Sequence, residues 1–177
     1  TLTASSSATL SFVNGSSSVV LDSTYKEYLF IYNNLHPATD GASLEFNLSI
    51  DSGSNYNVTK TSSSYRAFQD EAGTATSIAY FAANDLAQGT GFQPLGDENQ
   101  SNDNDHGQCG ILHLFNPSDT TFVKHFLGIN VNVHNGDYII NDYIGGYANT
   151  TSAVDAIQFK YHTGNIDAGT IQLFGVA

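Results

Sequence analysis

The side chains best suited to chemistry in this sequence gather between Gly96 and His113. Residues 96–107 read Gly-Asp-Glu-Asn-Gln-Ser-Asn-Asp-Asn-Asp-His-Gly, and Cys109 and His113 follow closely. Asp97, Asn99, Ser101 and Asp103 put oxygen-bearing side chains at alternate positions, as the opening of a calcium loop does. The pattern then departs. The sixth position is Asn102, where such a loop uses Gly for its sharp turn, and the twelfth is Gln108 in place of a bidentate Glu. The same residue types suit a solvated loop tip, because Asn, Asp and Ser hydrogen-bond their own backbone in turns. Calcium is the one ion this loop suggests, and no other cofactor is expected.

The remaining reactive side chains form no catalytic pattern. Among the six histidines, His113 and His125 flank a turn at Asn116–Thr121 and so fall on consecutive strands. No H-E-x-x-H pair exists, and single histidines on strands mostly pack or hydrogen-bond. Cys109 lies near His106 and His113 in sequence, but a nucleophile and its base meet in space rather than along the chain. No G-x-S-x-G elbow is present, and no carboxylate pair stands out for glycoside hydrolysis. A non-enzymatic protein is the expectation.

The elements that must position these groups read as strands. Ile129, Val131 and Val133 alternate with Asn130, Asn132 and His134, and Asn135-Gly136 leads into Tyr138-Ile-Ile. Asn-Gly between alternating runs signals a two-residue hairpin turn. Leu44, Phe46, Leu48 and Ile50 alternate with polar residues in the same way, followed by a turn into a partner containing Tyr56 and Val58. Tyr28 to Tyr32 is apolar on both faces, as a central strand is. Leu10, Phe12 and Val19–Leu21 suggest short strands, and Ile157–Tyr161 and Thr170–Val176 supply two more. Residues 78–87 read as a short helix or an irregular strand. The sum is an all-β chain, an antiparallel β-sandwich of jelly-roll type, in a single domain over residues 1–177. Leu44, Phe46, Leu48, Ile50, Val131, Val133, Ile157, Phe159 and Ile171 are its expected core. The chain has no Met, so an N-terminal segment is expected to precede Thr1.

Composition excludes some partners. The net charge is −12, with five cations in 177 residues. Nucleic-acid binding works by neutralising phosphates with clustered Lys and Arg, and anionic membranes need the same footprint. No apolar run approaches the ~18–20 residues that span a bilayer. Neither nucleic acid nor membrane insertion is expected.

Several segments together resemble a known group. They include Tyr28-Leu-Phe-Ile-Tyr, His36-Pro-Ala-Thr-Asp-Gly, Leu112-His-Leu-Phe-Asn-Pro-Ser, Thr121-Phe-Val-Lys-His-Phe and Gly164-Asn-Ile-Asp-Ala-Gly-Thr-Ile-Gln-Leu-Phe-Gly. In this order, along nearly the whole chain, they resemble virion-associated surface proteins of tailed phages, especially marine ones. The resemblance implies a virion-surface location, as a tail-fibre, head-fibre or receptor-binding domain or a capsid decoration protein. It also implies other virion proteins as partners, and homo-oligomers, commonly trimers. Aromatic residues among Tyr25, Tyr28, Tyr65, Phe68, Tyr80 and Phe81 would then lie at a subunit interface.

A host-surface glycan is the expected external partner, met by loops at one end of the sandwich. The candidate binding residues are Asn34, His36 and Asp40 on one loop and Asp97, Asn99, Asp103 and Asp105 on the other. The alternative reading is a stand-alone carbohydrate-binding module or lectin.

Overall fold

Alternating apolar residues draw most of the chain into antiparallel strands. The computed structural model of the protein describes residues 1–96 and 99–177. In chain order the strands are β1 (Leu2–Thr3), β2 (Leu10–Val13), β3 (Glu27–Pro37), β4 (Leu44–Ser49), β5 (Lys60–Asp70) and β6 (Thr76–Tyr80). They continue with β7 (Gln93–Pro94), β8 (Gln108–Phe115), β9 (Lys124–His134), β10 (Tyr138–Ala148), β11 (Ala156–Tyr161) and β12 (Ile166–Val176). A large sheet runs β1-β12-β3-β8-β9-β10-β5-β6 and a small one β2-β11-β4-β7. This is the expected antiparallel sandwich. Strand order alone does not establish the finer jelly-roll pattern. Among the described residues no helix is long and apolar enough to cross a membrane.

The core lies between the sheets and is strongly aromatic. Phe30 of β3 packs edge-on against Phe12 of β2 at 5.4 Å and beside Phe159 of β11 at 5.5 Å. Phe126 of β9 meets Phe46 of β4 at 5.3 Å, nearly perpendicular, the favoured geometry for aromatic pairs. Leu44, Phe46, Leu48, Ile157, Phe159 and Ile171 are all buried as expected. On the outside of the small sheet, Glu45 and Lys160 pair across β4 and β11 at 2.9 Å.

The direction of β9 overturns one sequence expectation. Phe126 faces inward, and a strand's period of two then sends Gly128, Asn130 and Asn132 inward as well. Asn130 and Asn132 are 1% exposed, whereas Ile129 is 41% exposed. Val131 and Val133 are thus not core residues; they stand half-buried on the outer face. Anchoring one aromatic in the core outweighs the apolar–polar preference of the residues that follow it.

Other departures are local. Ile50 is exposed because β4 ends at Ser49, where Asp51 takes hydrogen bonds from Ser49 Oγ and the Asn55 backbone and starts a turn. Tyr56, Val58 and Val19–Leu21 lie outside strands. The β9–β10 hairpin exists, but with a three-residue loop in which Asp137, at φ +63°, takes the left-handed position and donates its N–H to His134 O. Residues 78–87 divide between edge strand β6 and a 3-10 turn at Ala82–Asn84.

Two predictions follow from these contacts. Gly110 of β8 leaves no room for a side chain: a Cβ there would be 2.6 Å from Ile129 O and 2.7 Å from the Tyr32 ring. Gly110→Ala is expected to cost about 1–3 kcal/mol in denaturant unfolding, while Gly91→Ala, where nothing lies within 4 Å, leaves the midpoint in place. Lys60 is buried, and its Nζ donates to Val58 O and Asn47 Oδ1. Burial pushes its ammonium from 10.5 down to about 7. Between those values the unfolded chain binds the extra proton, so this residue makes stability rise with pH from about 7 to 10.5. Unfolding measured across that window should lose this rise in Lys60→Met.

Candidate functional site

A break in β3 creates the site. Pairing of β3 with β8 slips between Tyr32 and Leu35, and pairing with β12 slips between Ile166 and Thr170. Asn34 sits in the bulge at φ +49°, a left-handed conformation that Asn tolerates better than most residues. Across from it Gly169 adopts φ +105°, and a Cβ there would lie 2.4 Å from Asn34 O. Only glycine lets the two strands approach so closely. The bulge is held by Cys109, whose Sγ accepts from Asn34 N at 3.3 Å and donates to Asn34 Oδ1 at 3.4 Å. Cys109 is a half-buried free thiol with a polar partner.

Beyond the bulge, a polar cleft of about 320 Å³ opens between the end of β3, the loop before β8 and the start of β12. Its walls are Asn34, His36, Asn104–Gly107, Asp167 and Ala168. His36 Nε2 lies 3.1 Å from Asp103 O, which can only accept, so that nitrogen carries the proton when the bond forms. His36 Nδ1 is 3.8 Å from Asp167 Oδ2. His106 lies 3.9 Å from both Asp103 and Asp105 carboxylates. Its Nδ1 is buried without a hydrogen-bond partner among the described residues.

The structure therefore gathers part of the expected set. Asn34, His36 and Asp105 line the cleft, and Asp103 braces it through its backbone and side chain. Asp40 stands outside as a tie between loops: Oδ1 accepts from Asn102 N at 3.4 Å and Oδ2 from Asn135 Nδ2 at 3.1 Å. Asn99 is exposed, and its carbonyl accepts from Asn135 N at 2.8 Å, away from the cleft. Asp97 lies outside the described residues. Sequence reasoning missed Asp167, which lies between the two strands expected at Ile157–Tyr161 and Thr170–Val176. Its place beside His36 comes from the β3–β12 pairing, which matches Ala168 with His36.

Chemically the cleft offers two imidazoles, carboxylates and amides, so it suits a hydroxyl- or amine-bearing ligand through hydrogen bonds. None of its lining residues is Tyr or Phe, so the aromatic stacking expected for sugar rings is not supplied by its walls. Among the described residues no three His, Cys, Asp or Glu side chains converge as a metal site.

The Asp40 tie is testable. Asp40→Ala removes both bonds, and hydrogen exchange of residues 99–106 is expected to rise about tenfold, as the loss of one or two ordinary hydrogen bonds does. Amides of the central strands β8 and β9 should keep their protection; unchanged exchange in the loop would remove the tie from the argument. Comparison with family models, with curated proteins and with solved structures finds no match to this chain.

Proposed function

We propose that this chain is a non-enzymatic structural component of a tailed-phage virion surface, a fibre, receptor-binding or decoration protein that works as a homo-oligomer, most simply a trimer. The resemblance of its motifs supplies the virion. The observation that carries the assembly is the outer face of the large sheet. One cross-strand row there reads Tyr80, Tyr65, Tyr143, Ile129, Ile111 and Ile31 over six strands. Tyr65 and Tyr143 stack at 4.9 Å and 7°. The flanking rows add Ile78, Ala67 and Val131 on one side and Leu127 and Leu29 on the other. None of these rows contains Asp, Glu, Lys or Arg.

An uncharged apolar face this extended marks an interaction site. On a chain of net charge −12 it is the region where a second copy meets no repulsion. The sheet also ends on β6, whose five residues are all exposed and carry none of the charges or prolines that usually protect an edge. Tyr65 and Tyr80 from the expected interface set are exposed on this face, while Tyr28 is core. The polar cleft around His36 then serves as the surface offered to a host glycan.

A second reading, a stand-alone lectin, draws on that same cleft. Light scattering and particle proteomics separate the two. The virion reading expects the purified chain at three times its monomer mass, and expects it in purified particles. The double variant Leu127→Asp/Ile129→Asp should return to the monomer mass with an unchanged circular dichroism spectrum. A monomeric wild-type chain absent from particles would refute the virion reading. Saturable glycan binding by that monomer, lost in His36→Ala, would establish the lectin.

A further inference from the structure

The inner face of the large sheet holds a cluster of buried polar side chains. Its central row runs Tyr32, Gly110, Asn130, Asp142 and Arg66 across β3, β8, β9, β10 and β5. Asn132 stands one row away on the same face, opposite Ile140. Tyr32, Asn130, Asn132 and Asp142 are each at most 1% exposed. Yet Tyr32 Oη, both amide atoms of Asn130 and of Asn132, and both carboxylate oxygens of Asp142 lack a hydrogen-bond partner among the described residues. Among the described residues, single atoms of Ser64, Asn84, Gln93 and His106 are orphaned elsewhere, whereas other buried polar side chains are paired. Tyr161 Oη reaches Leu35 O and Gln100 Oε1, and Gln100 Nε2 also reaches Leu35 O.

Asn130 and Asp142 are directly paired, about 5 Å apart. Asn132 lies two residues along the same face. Tyr32 looks across Gly110, where a Cβ would be 2.7 Å from the Tyr32 ring and 2.8 Å from Asn130 Oδ1, so these polar side chains are neighbours. Their roof is the backbone after β7. A Cβ at Gly96 would lie 3.5 Å from Asp142 Oδ2 and 3.1 Å from Gln108 Nε2, so the roof comes close to the carboxylate. Seven unpaired atoms in one place would cost more than a domain's marginal stability allows. Something must occupy the space. Water could satisfy the amides and the phenol, but burial of the carboxylate outweighs the Arg66 opposite it on β5, so a further cation would complete its compensation.

We infer that this chamber is a hard-cation site for calcium, held by Asp142, the side-chain oxygens of Asn130 and Asn132, and Tyr32 Oη, with waters completing the shell. The donors are all oxygen, as calcium prefers, and a single carboxylate fits the weak, millimolar end of calcium affinities. Each Asn can turn its oxygen to the ion and its nitrogen to a neighbouring acceptor. A cleft of about 230 Å³ lined by Arg66, Phe68, His134, Tyr138 and Ile140 adjoins the chamber on the same face and gives a route in. The calcium expected at the acidic loop is thereby moved to the sheet.

The test uses the full chain stripped with EDTA. Adding 5 mM calcium, roughly ten times a submillimolar dissociation constant, is expected to raise the melting temperature by about 5 °C. The shift should be absent in Asp142→Asn and retained in Glu71→Gln, an exposed carboxylate outside the chamber. Terbium luminescence excited through tyrosine should appear on binding, be displaced by calcium and fall sharply in Tyr32→Phe. The wild-type terbium competition decides the matter even if Asp142→Asn does not fold. No shift with any cation, together with Asp142→Asn more stable than wild type, would overturn the site and leave a hydrated chamber around a protonated Asp142. A shift with sodium or potassium alone would overturn the calcium assignment.

Discussion

The contact between Phe126 and Phe46 sets the orientation of everything on the large sheet. Phe126 is the first aromatic of β9, and its ring meets the small sheet edge-on at 5.3 Å. Because side chains alternate strictly along a strand, that one anchor places Asn130 and Asn132 inside and Leu127, Ile129, Val131 and Val133 outside. Cross-strand pairing then extends the choice to β8, β10 and β5. A slip of one residue would bury an apolar stripe and leave the asparagines in water. The large sheet instead turns Tyr32, Asn130, Asn132 and Asp142 inward and exposes aliphatic and tyrosine residues.

The two unusual faces and the polar cleft share a source in the middle strands. Up to Tyr32, β3 alternates regularly, with Tyr28, Phe30 and Tyr32 in the core. At Asn33–Asn34 its pairing slips on both sides at once. Before the slip the strand contributes the phenol of Tyr32 to the buried chamber. After it, Asn34 and His36 belong to the surface cleft. One bulge thus separates an interior polar site from an exterior one within five residues, and Gly169 on the neighbouring strand is what permits it.

The loop Asn99–Gly107 is less independent than its composition suggests. Asp40 receives hydrogen bonds from Asn102 and Asn135, and Asn135 N reaches Asn99 O. Gln100 buries its amide against Leu35 O. The loop is pinned to the ends of β3 and β9, so its acidic residues are presented by the sandwich rather than free in solvent. That anchoring gives the His36 cleft a fixed shape.

The sequence by itself determined the class of fold. Period-two runs at Leu44–Leu48 and Ile157–Phe159 and the turn chemistry at Asn135-Gly136 specify antiparallel strands because those signals are local. The grouping of Asn34, His36, Asp103 and Asp105 at one end was legible too, since loops between strands of a sandwich cluster at its ends. Strand β5 was harder to read, because Thr61 to Ser64 is a polar run whose strand form comes from its neighbour β10. Only the tertiary structure decided which face of β9 is buried, that Asp167 joins the cleft, and that Asp142 sits beside Asn130. Those outcomes depend on contacts between residues far apart in the chain, and on an aromatic core whose packing overrides the polarity of any single strand face.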